Sequence, residues 1–467
     1  MPGDNHESRR RFLRQVGSTG LLLAASPLNS LAAKQKAEER TILYERGFSA
    51  NDKINIAVIG FGIQGHFDLA TALKVPGVNL VGICDLYSGR LENAKEIYGT
   101  ELFTTKNYRQ ILDRSDVDAV IIATSDNWHA RITLEALKKG KAVYCEKPMV
   151  HKISEGMEVV KAQKKVNTIV QVGSQRVSSI VYRKAQELIA AGAIGKLNMV
   201  NAVYDRQSSL GAWQYTMPND ANPGTVDWER YIEGAGKIPF DPKKFFWWRN
   251  YREFGTGVAG DLFVHLLSGT HVITGSNGPT KIFASGQLSY WKDGRNVPDV
   301  MTGILQYPET VITPAFQLTL QVNFISGTGG QEQLKFVGED GTIEIDGNHL
   351  KVSHHIMPKA SGFGGYDALF TYPKAMQESL TKTYQQKYTA EEKRGVTKPD
   401  IDFRSPKGYN EHLDHFTNFF DAIRMNKPVV EDAAFGFRAA APALACNDSY
   451  FQQKIIQWDP ENMKLIG

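Results

Sequence analysis

Cysteine is scarce: three residues (Cys84, Cys145, Cys446) in 467 are too few and too scattered for a disulfide framework or a zinc knuckle. Cys84 and Cys145 lie in apolar strand patterns, so buried thiols are expected there. Surplus charge of one sign is also missing. A net +4 over this length gives no reason to expect a nucleic-acid partner. Long apolar runs are absent, so no membrane span is expected: Val16–Ala25 is far shorter than the ~20 residues that cross a bilayer. Internal repeats and low-complexity tracts are lacking too. What remains is an ordinary globular composition on a chain too long for one core, which predicts two domains.

The first residues carry a separate message. Ser8-Arg9-Arg10-Arg11-Phe12-Leu13-Arg14, the apolar stretch after it and Ser30-Leu31-Ala32 resemble a twin-arginine export signal over residues 1–32, cleaved after Ala32. Such a signal predicts a periplasmic protein, exported already folded and holding its cofactor. Residues 33–52 are polar and charged and are expected to form a linker or arm.

From residue 53 apolar strands alternate with helices, predicting an α/β fold in which a Rossmann domain with a parallel sheet spans residues 53–175. Its first strand breaks into Gly60-Phe-Gly62-Ile63-Gln64-Gly65, with Asp85 closing a second apolar run. Glycines at this spacing allow a tight turn, close approach of backbone to a pyrophosphate, and packing of the following helix on the strand. Asp85 suits the ribose hydroxyls of NAD, while Arg90 nearby leaves room for NADP. Strands then dominate, with expected stretches at 197–204, 281–291, 303–307, 316–325, 333–337 and 342–345. Residues 176–467 are therefore predicted to form an α+β substrate and oligomerisation domain on an open, mostly antiparallel sheet. Residues 354–409 read as a polar excursion, and 410–425 and 432–450 as amphipathic helices.

Two elements carry chemistry. Glu146-Lys147-Pro148 ends a parallel strand, where open α/β sheets bind ligands, and the Lys147 ammonium there can stabilise negative charge on a substrate oxygen. Gly255-Thr-Gly257-Val-Ala-Gly260-Asp261-Leu-Phe-Val-His265 reads as a loop leading into a buried helix, with Asp261 and His265 on one face at i and i+4. That spacing predicts a carboxylate orienting an imidazole, which takes a hydroxyl proton as hydride leaves the same carbon. The aromatic run 245–251, Trp248 included, is a candidate sugar-facing wall, and Arg176, Tyr204 and Arg206 are candidates for binding hydroxyls. Glu411-His412-Leu-Asp414-His415 has metal-like density but reads better as a polar helix face; no metal is expected.

The glycine loop, Ala123-Thr124-Ser125 with His129, Glu146-Lys147-Pro148 and Asp261-x-x-x-His265 together resemble the glucose–fructose oxidoreductase / inositol dehydrogenase (Gfo/Idh/MocA) family, from residue 53 onward. The resemblance implies hydride chemistry on sugars or cyclitols, with Lys147, Asp261 and His265 as the catalytic set. It places Gly60, Gly62, Gly65, Asp85, Ser125, His129 and Glu146 near the cofactor; Ile63, Gln64, Arg90, Thr124 and Lys147 complete the expected contacts. Ser125 departs from the proline of many members. The resemblance also implies a homodimer or homotetramer built on the second sheet. The expected activity is an exported sugar oxidoreductase with tightly bound NAD (NADP possible) and a small carbohydrate substrate. The alternatives are an NAD-dependent glycoside-cleaving enzyme and a non-catalytic carbohydrate-binding member.

Overall fold

A computed structural model describes residues 53–396 and 398–466; the expected signal and linker lie outside them. Six strands come first: β1 (Ile54–Ile59), β2 (Val78–Cys84), β3 (Phe103–Thr105), β4 (Ala119–Ile122), β5 (Ala142–Cys145) and β6 (Val170–Val172). They form one sheet in the order β3-β2-β1-β4-β5-β6, parallel throughout. Side chains alternate between faces, so β1 splits its apolar set. Ile54, Ile56 and Val58 pack toward Leu69 and Ala72 of the helix Ile63–Ala72, while Ala57 and Ile59 face the core holding Trp128 and Ile132 of the helix Asp126–Lys138. Phe416, Phe419 and Phe420 of the late helix Glu411–Met425 share the first of these cores, so the chain returns to cap its own beginning.

The second sheet has ten strands: β7 (Leu197–Asp205), β8 (Lys281–Gln287), β9 (Val300–Tyr307), β10 (Phe316–Asn323), β11 (Gln331–Gly338), β12 (Gly341–Asp346), β13 (His349–His354), β14 (Ile401–Arg404), β15 (Ile456–Asp459) and β16 (Lys464–Leu465). Their order is β14-β13-β12-β11-β7-β10-β9-β8-β15-β16, antiparallel except where β7 meets β10. One face packs on the helices Ile180–Ala190, Val264–Thr274 and Ala433–Gln452; the other alternates outward and leaves Met199, Phe283 and Ile304 exposed. The stretch read as a polar excursion supplies β14 and a fourteen-residue helix, Lys374–Lys387, in which no residue is buried. Its strand was missed because β14 is only four residues long, two of them charged, at a sheet edge.

This arrangement sets the site. The sheet order reverses between β1 and β4, and a crevice opens at the carboxyl ends of their strands. The second domain brings the segment before the helix Val264–Thr274 against that opening.

Candidate active site

Gly60 has φ +92°, and a Cβ there would lie 2.5 Å from the Ala123 carbonyl oxygen; one on Gly65 would lie 2.1 Å from the Gly60 oxygen. Gly62 instead has nothing nearer than the Arg90 guanidinium at 3.7 Å, leaving its backbone open to the crevice. The helix Ile63–Ala72 starts at Gly62 with no side-chain cap, so its first N–H groups and its dipole are available to an anion. Asp85 is held by the N–H of Phe61 to Oδ2 (2.8 Å) and that of Tyr87 to Oδ1 (2.9 Å), with Arg90 Nη1 at 3.3 Å. A cleft runs past Gly60, Gly62, Ile63, Gln64 and Asp85 to Thr124, Ser125 and Lys147. A dinucleotide fits this donor set: uncapped N–H groups for phosphates and a fixed carboxylate for a ribose.

Lys147 follows β5, with a cis peptide to Pro148. Its Nζ donates to both Oδ1 and the backbone oxygen of Asp261, each at 2.9 Å. Arg249 Nε donates to the same Oδ1 at 3.0 Å, and its guanidinium lies 4.2 Å from the centroid of the Trp248 ring. Burial would push the Asp261 carboxyl up, but Lys147 and Arg249 override it and hold the group well below the usual carboxylate range. Two cations thus share one buried carboxylate, leaving surplus positive charge at the cleft wall.

His265 is half-buried, with its ring centroid 6.1 Å from that of Tyr204. The relation expected between Asp261 and His265 is altered. Residues Ala259–Phe263 form a π-turn, whose i→i+5 bonding widens the helix just where Asp261 sits. Asp261 is turned to Lys147 and Arg249, and among the described residues the His265 ring makes no hydrogen bond. Burial and the charge of Lys147 push the imidazole well below its ordinary value, which favours its neutral form.

Glu146 is buried, accepting from Gln175 Nε2 at 2.6 Å, from the Lys147 N–H at 3.2 Å and from Gln64 Nε2 at 3.4 Å. Burial lifts its carboxyl to about 7. His129 bonds the carbonyls of Pro148 (2.8 Å) and Thr124 (3.3 Å), tying the Lys147 turn to the β4 loop. Arg176 pairs with Glu332 through two contacts, 2.8 and 3.0 Å, while Tyr204 lies beside His265. Trp248 lines the dinucleotide cleft together with Phe245 and Phe246. The second histidine of the metal-like run, His415, binds Ser178 Oγ and the Val172 carbonyl, both at 2.8 Å. All three cysteines are buried and free. No described helix is long and apolar enough to cross a membrane.

Sequence reasoning passed over Arg249, although it sits in the aromatic run just before the glycines. It also passed over Asp126 and Thr256. Asp126 Oδ2 accepts from the Thr256 N–H at 2.9 Å and Thr256 Oγ1 at 2.7 Å, lashing the π-turn segment to the helix that follows β4. No spacing rule links positions 130 residues apart.

Profiles of one family match both parts of the chain. That of the oxidoreductase family's NAD-binding Rossmann fold covers residues 54–174, and that of its C-terminal alpha/beta domain covers 186–457. The inositol 2-dehydrogenase of Rubrobacter xylanophilus is 33% identical over 63% of this chain and 72% of its own length. That of Salmonella typhimurium is 31% identical over 34% of this chain, which thus spans about half (47%) of that relative's length. Glycosyl hydrolase family 109 protein 1 of Akkermansia muciniphila is 29% identical over 34% of this chain and 39% of its own. Among solved structures, the aldose-aldose oxidoreductase of Caulobacter crescentus superposes with a TM-score of 0.61 at 16% identity, over 87% of this chain and 99% of that one, a likeness of fold. With both domains matched in order over residues 54–174 and 186–457, the chain belongs to the Gfo/Idh/MocA oxidoreductase family.

Proposed function

We propose that this chain is an exported oxidoreductase acting on a sugar or cyclitol hydroxyl, with a tightly held NAD in the cleft; NADP is the alternative nucleotide. When bound, the nicotinamide supplies the hydride acceptor. His265, neutral in its buried setting, takes the hydroxyl proton, and Lys147 stabilises the negative charge that develops on that oxygen. Asp261, itself fixed by Arg249, holds the Lys147 ammonium in place. Arg176 and Tyr204 are assigned to the substrate side, with Trp248 at the wall of the nucleotide cleft, and the open face of the second sheet joins copies into a homodimer or homotetramer. The supporting observation is the 2.9 Å contact of Lys147 Nζ with Asp261, which joins the β5 turn to the segment bearing His265. The test is a panel of cyclitols and aldoses offered to nucleotide-loaded protein, reading reduced nicotinamide by its absorbance. Turnover lost in both Lys147→Ala and His265→Ala supports the assignment; turnover unchanged in either sinks it.

The glycosyl hydrolase relative favours a second reading, cleavage of a glycoside through transient oxidation and elimination. Release of a leaving group with no net change in nicotinamide redox state distinguishes it. Export is tested by replacing Arg9, Arg10 and Arg11 with lysine and locating the chain.

A further inference from the structure

The segment between β7 and the π-turn, residues 207–254, belongs to the second domain in sequence but packs across the first. On one bank of the cleft it meets the loop after β2. Tyr87 pairs with Val226 as an antiparallel bridge, the Ser88 N–H donates to the Thr225 carbonyl at 3.0 Å, and the Asp227 N–H donates to the Leu86 carbonyl at 2.9 Å. Tyr87 Oη donates to Asp220 Oδ1 at 2.5 Å, and Lys106 Nζ to the Thr225 carbonyl at 3.0 Å. On the opposite bank it meets the helix after β4: the Trp128 indole N–H donates to the Tyr231 carbonyl, and Arg131 pairs with Glu233. Between the two banks, Phe245, Phe246, Arg230 and Tyr231 line the same cleft as Gly62 and Asp85. The Arg90 guanidinium lies 5.4 Å from the Phe246 ring centroid and 3.7 Å from the Cβ position of Gly62, so it bridges loop and roof. Val226, Trp228, Tyr231, Phe245 and Phe254 share one apolar core with Tyr87, so the roof is a packed unit continuous with the β2 bank.

From this we infer that residues 207–254 are a clasp over the adenosine half of the nucleotide site, so that a bound nicotinamide dinucleotide is resident and leaves only when the latch at Leu86–Ser88 opens. The inference rests on the nucleotide-binding reading above and adds the element that retains the ligand and the place where it parts. A roof anchored on both banks cannot be passed from the side. The Tyr87 N–H donates to Asp85 Oδ1 at 2.9 Å, so the latch adjoins the ribose carboxylate, and this is the bank whose release frees the adenosine half.

The experiment follows exchange of bound nucleotide in the full-length protein. Purified protein is loaded with NAD, freed of excess by gel filtration, and mixed with isotope-labelled NAD; retained label is read over time. Wild type is expected to keep near-stoichiometric nucleotide through filtration and to exchange it slowly. Tyr87→Phe and Asp220→Asn, each removing the charge-assisted latch bond while keeping the side chain's shape, are expected to speed exchange roughly tenfold at unchanged far-ultraviolet circular dichroism. Nucleotide that binds wild type but exchanges within the mixing time overturns the clasp and leaves the oxidoreductase reading standing. Slow wild-type exchange that neither variant accelerates overturns the latch. Protein that takes up no NAD or NADP overturns both the clasp and the function proposed above.

Discussion

Replacing Lys147 with methionine separates the chemistry of the site from its stability. At 2.9 Å, an ammonium and a carboxylate attract by about 6 kcal/mol at an effective dielectric of about 20. Most of that is offset by the desolvation of both ions, and Arg249 remains on the same Asp261 oxygen at 3.0 Å. Methionine fills the stem's volume, so the variant is expected to fold and to lose only about 2 kcal/mol, less than the ~3–5 typical of a buried pair left without any partner. Activity falls further. An ammonium aimed at a developing alkoxide acts as an oxyanion-hole donor does, and its loss is expected to lower kcat by about 10²–10³. A pH signature accompanies the loss. Burial and the Lys147 charge both push the His265 imidazole down, so the wild-type acid limb of kcat/KM lies below the ordinary histidine range. Removing the positive charge eases protonation of the ring, so the limb moves to higher pH, whereas Lys147→Arg leaves it nearly in place. The assay is nicotinamide reduction across pH, with thermal unfolding of the same samples. A kcat within about fivefold of wild type, or an acid limb that stays put in Lys147→Met, refutes the reasoning.

Other perturbations reach separate parts of the structure. Burial raises Glu146 to about 7, so the folded state prefers the neutral acid; its contribution is full below the unfolded carboxyl value and is lost as pH rises through about 7. Glu146→Gln should therefore flatten the fall in melting temperature between about pH 5 and 7, a window worth up to about 3 kcal/mol for a shift of this size. A Cβ on Gly260 would lie 2.1 Å from Thr256 Cβ, so Gly260→Ala should cost at least about 1–3 kcal/mol in denaturant melts and displace Asp261, with kcat falling alongside. Asp85→Ser frees Arg90 from its 3.3 Å pair and removes the charge that repels a 2′-phosphate, so the ratio of NAD to NADP affinity should shift toward NADP by about tenfold in titrations.

Much of the fold was legible in local pattern, because both signals act over a few residues. Uniformly apolar β4 and β5, with β1 apolar but for Asn55, marked a sheet covered on both faces, and the glycine loop announced its crevice. In the second sheet, β9 alternates buried and exposed residues along its length, which is what one solvent-facing side requires. Short strands escaped notice, since β14 spans only four residues and β13 carries four polar residues in six. The π-turn escaped as well. An i, i+4 spacing assumes α-helical geometry, whereas Asp261 sits in a π-turn and its carboxylate is engaged by Lys147 and Arg249.

The sequence by itself determined the family, the order of the domains and the identity of the glycine loop, Lys147, Asp261 and His265, because each is written in a contiguous stretch. Tertiary structure alone decided who shares the Asp261 charge, how Asp126 ties down Thr256, and which segment covers the nucleotide cleft. Those contacts join residues far apart along the chain. Their energies come from burial and opposed charge at close range, which exist only once both domains have closed on each other.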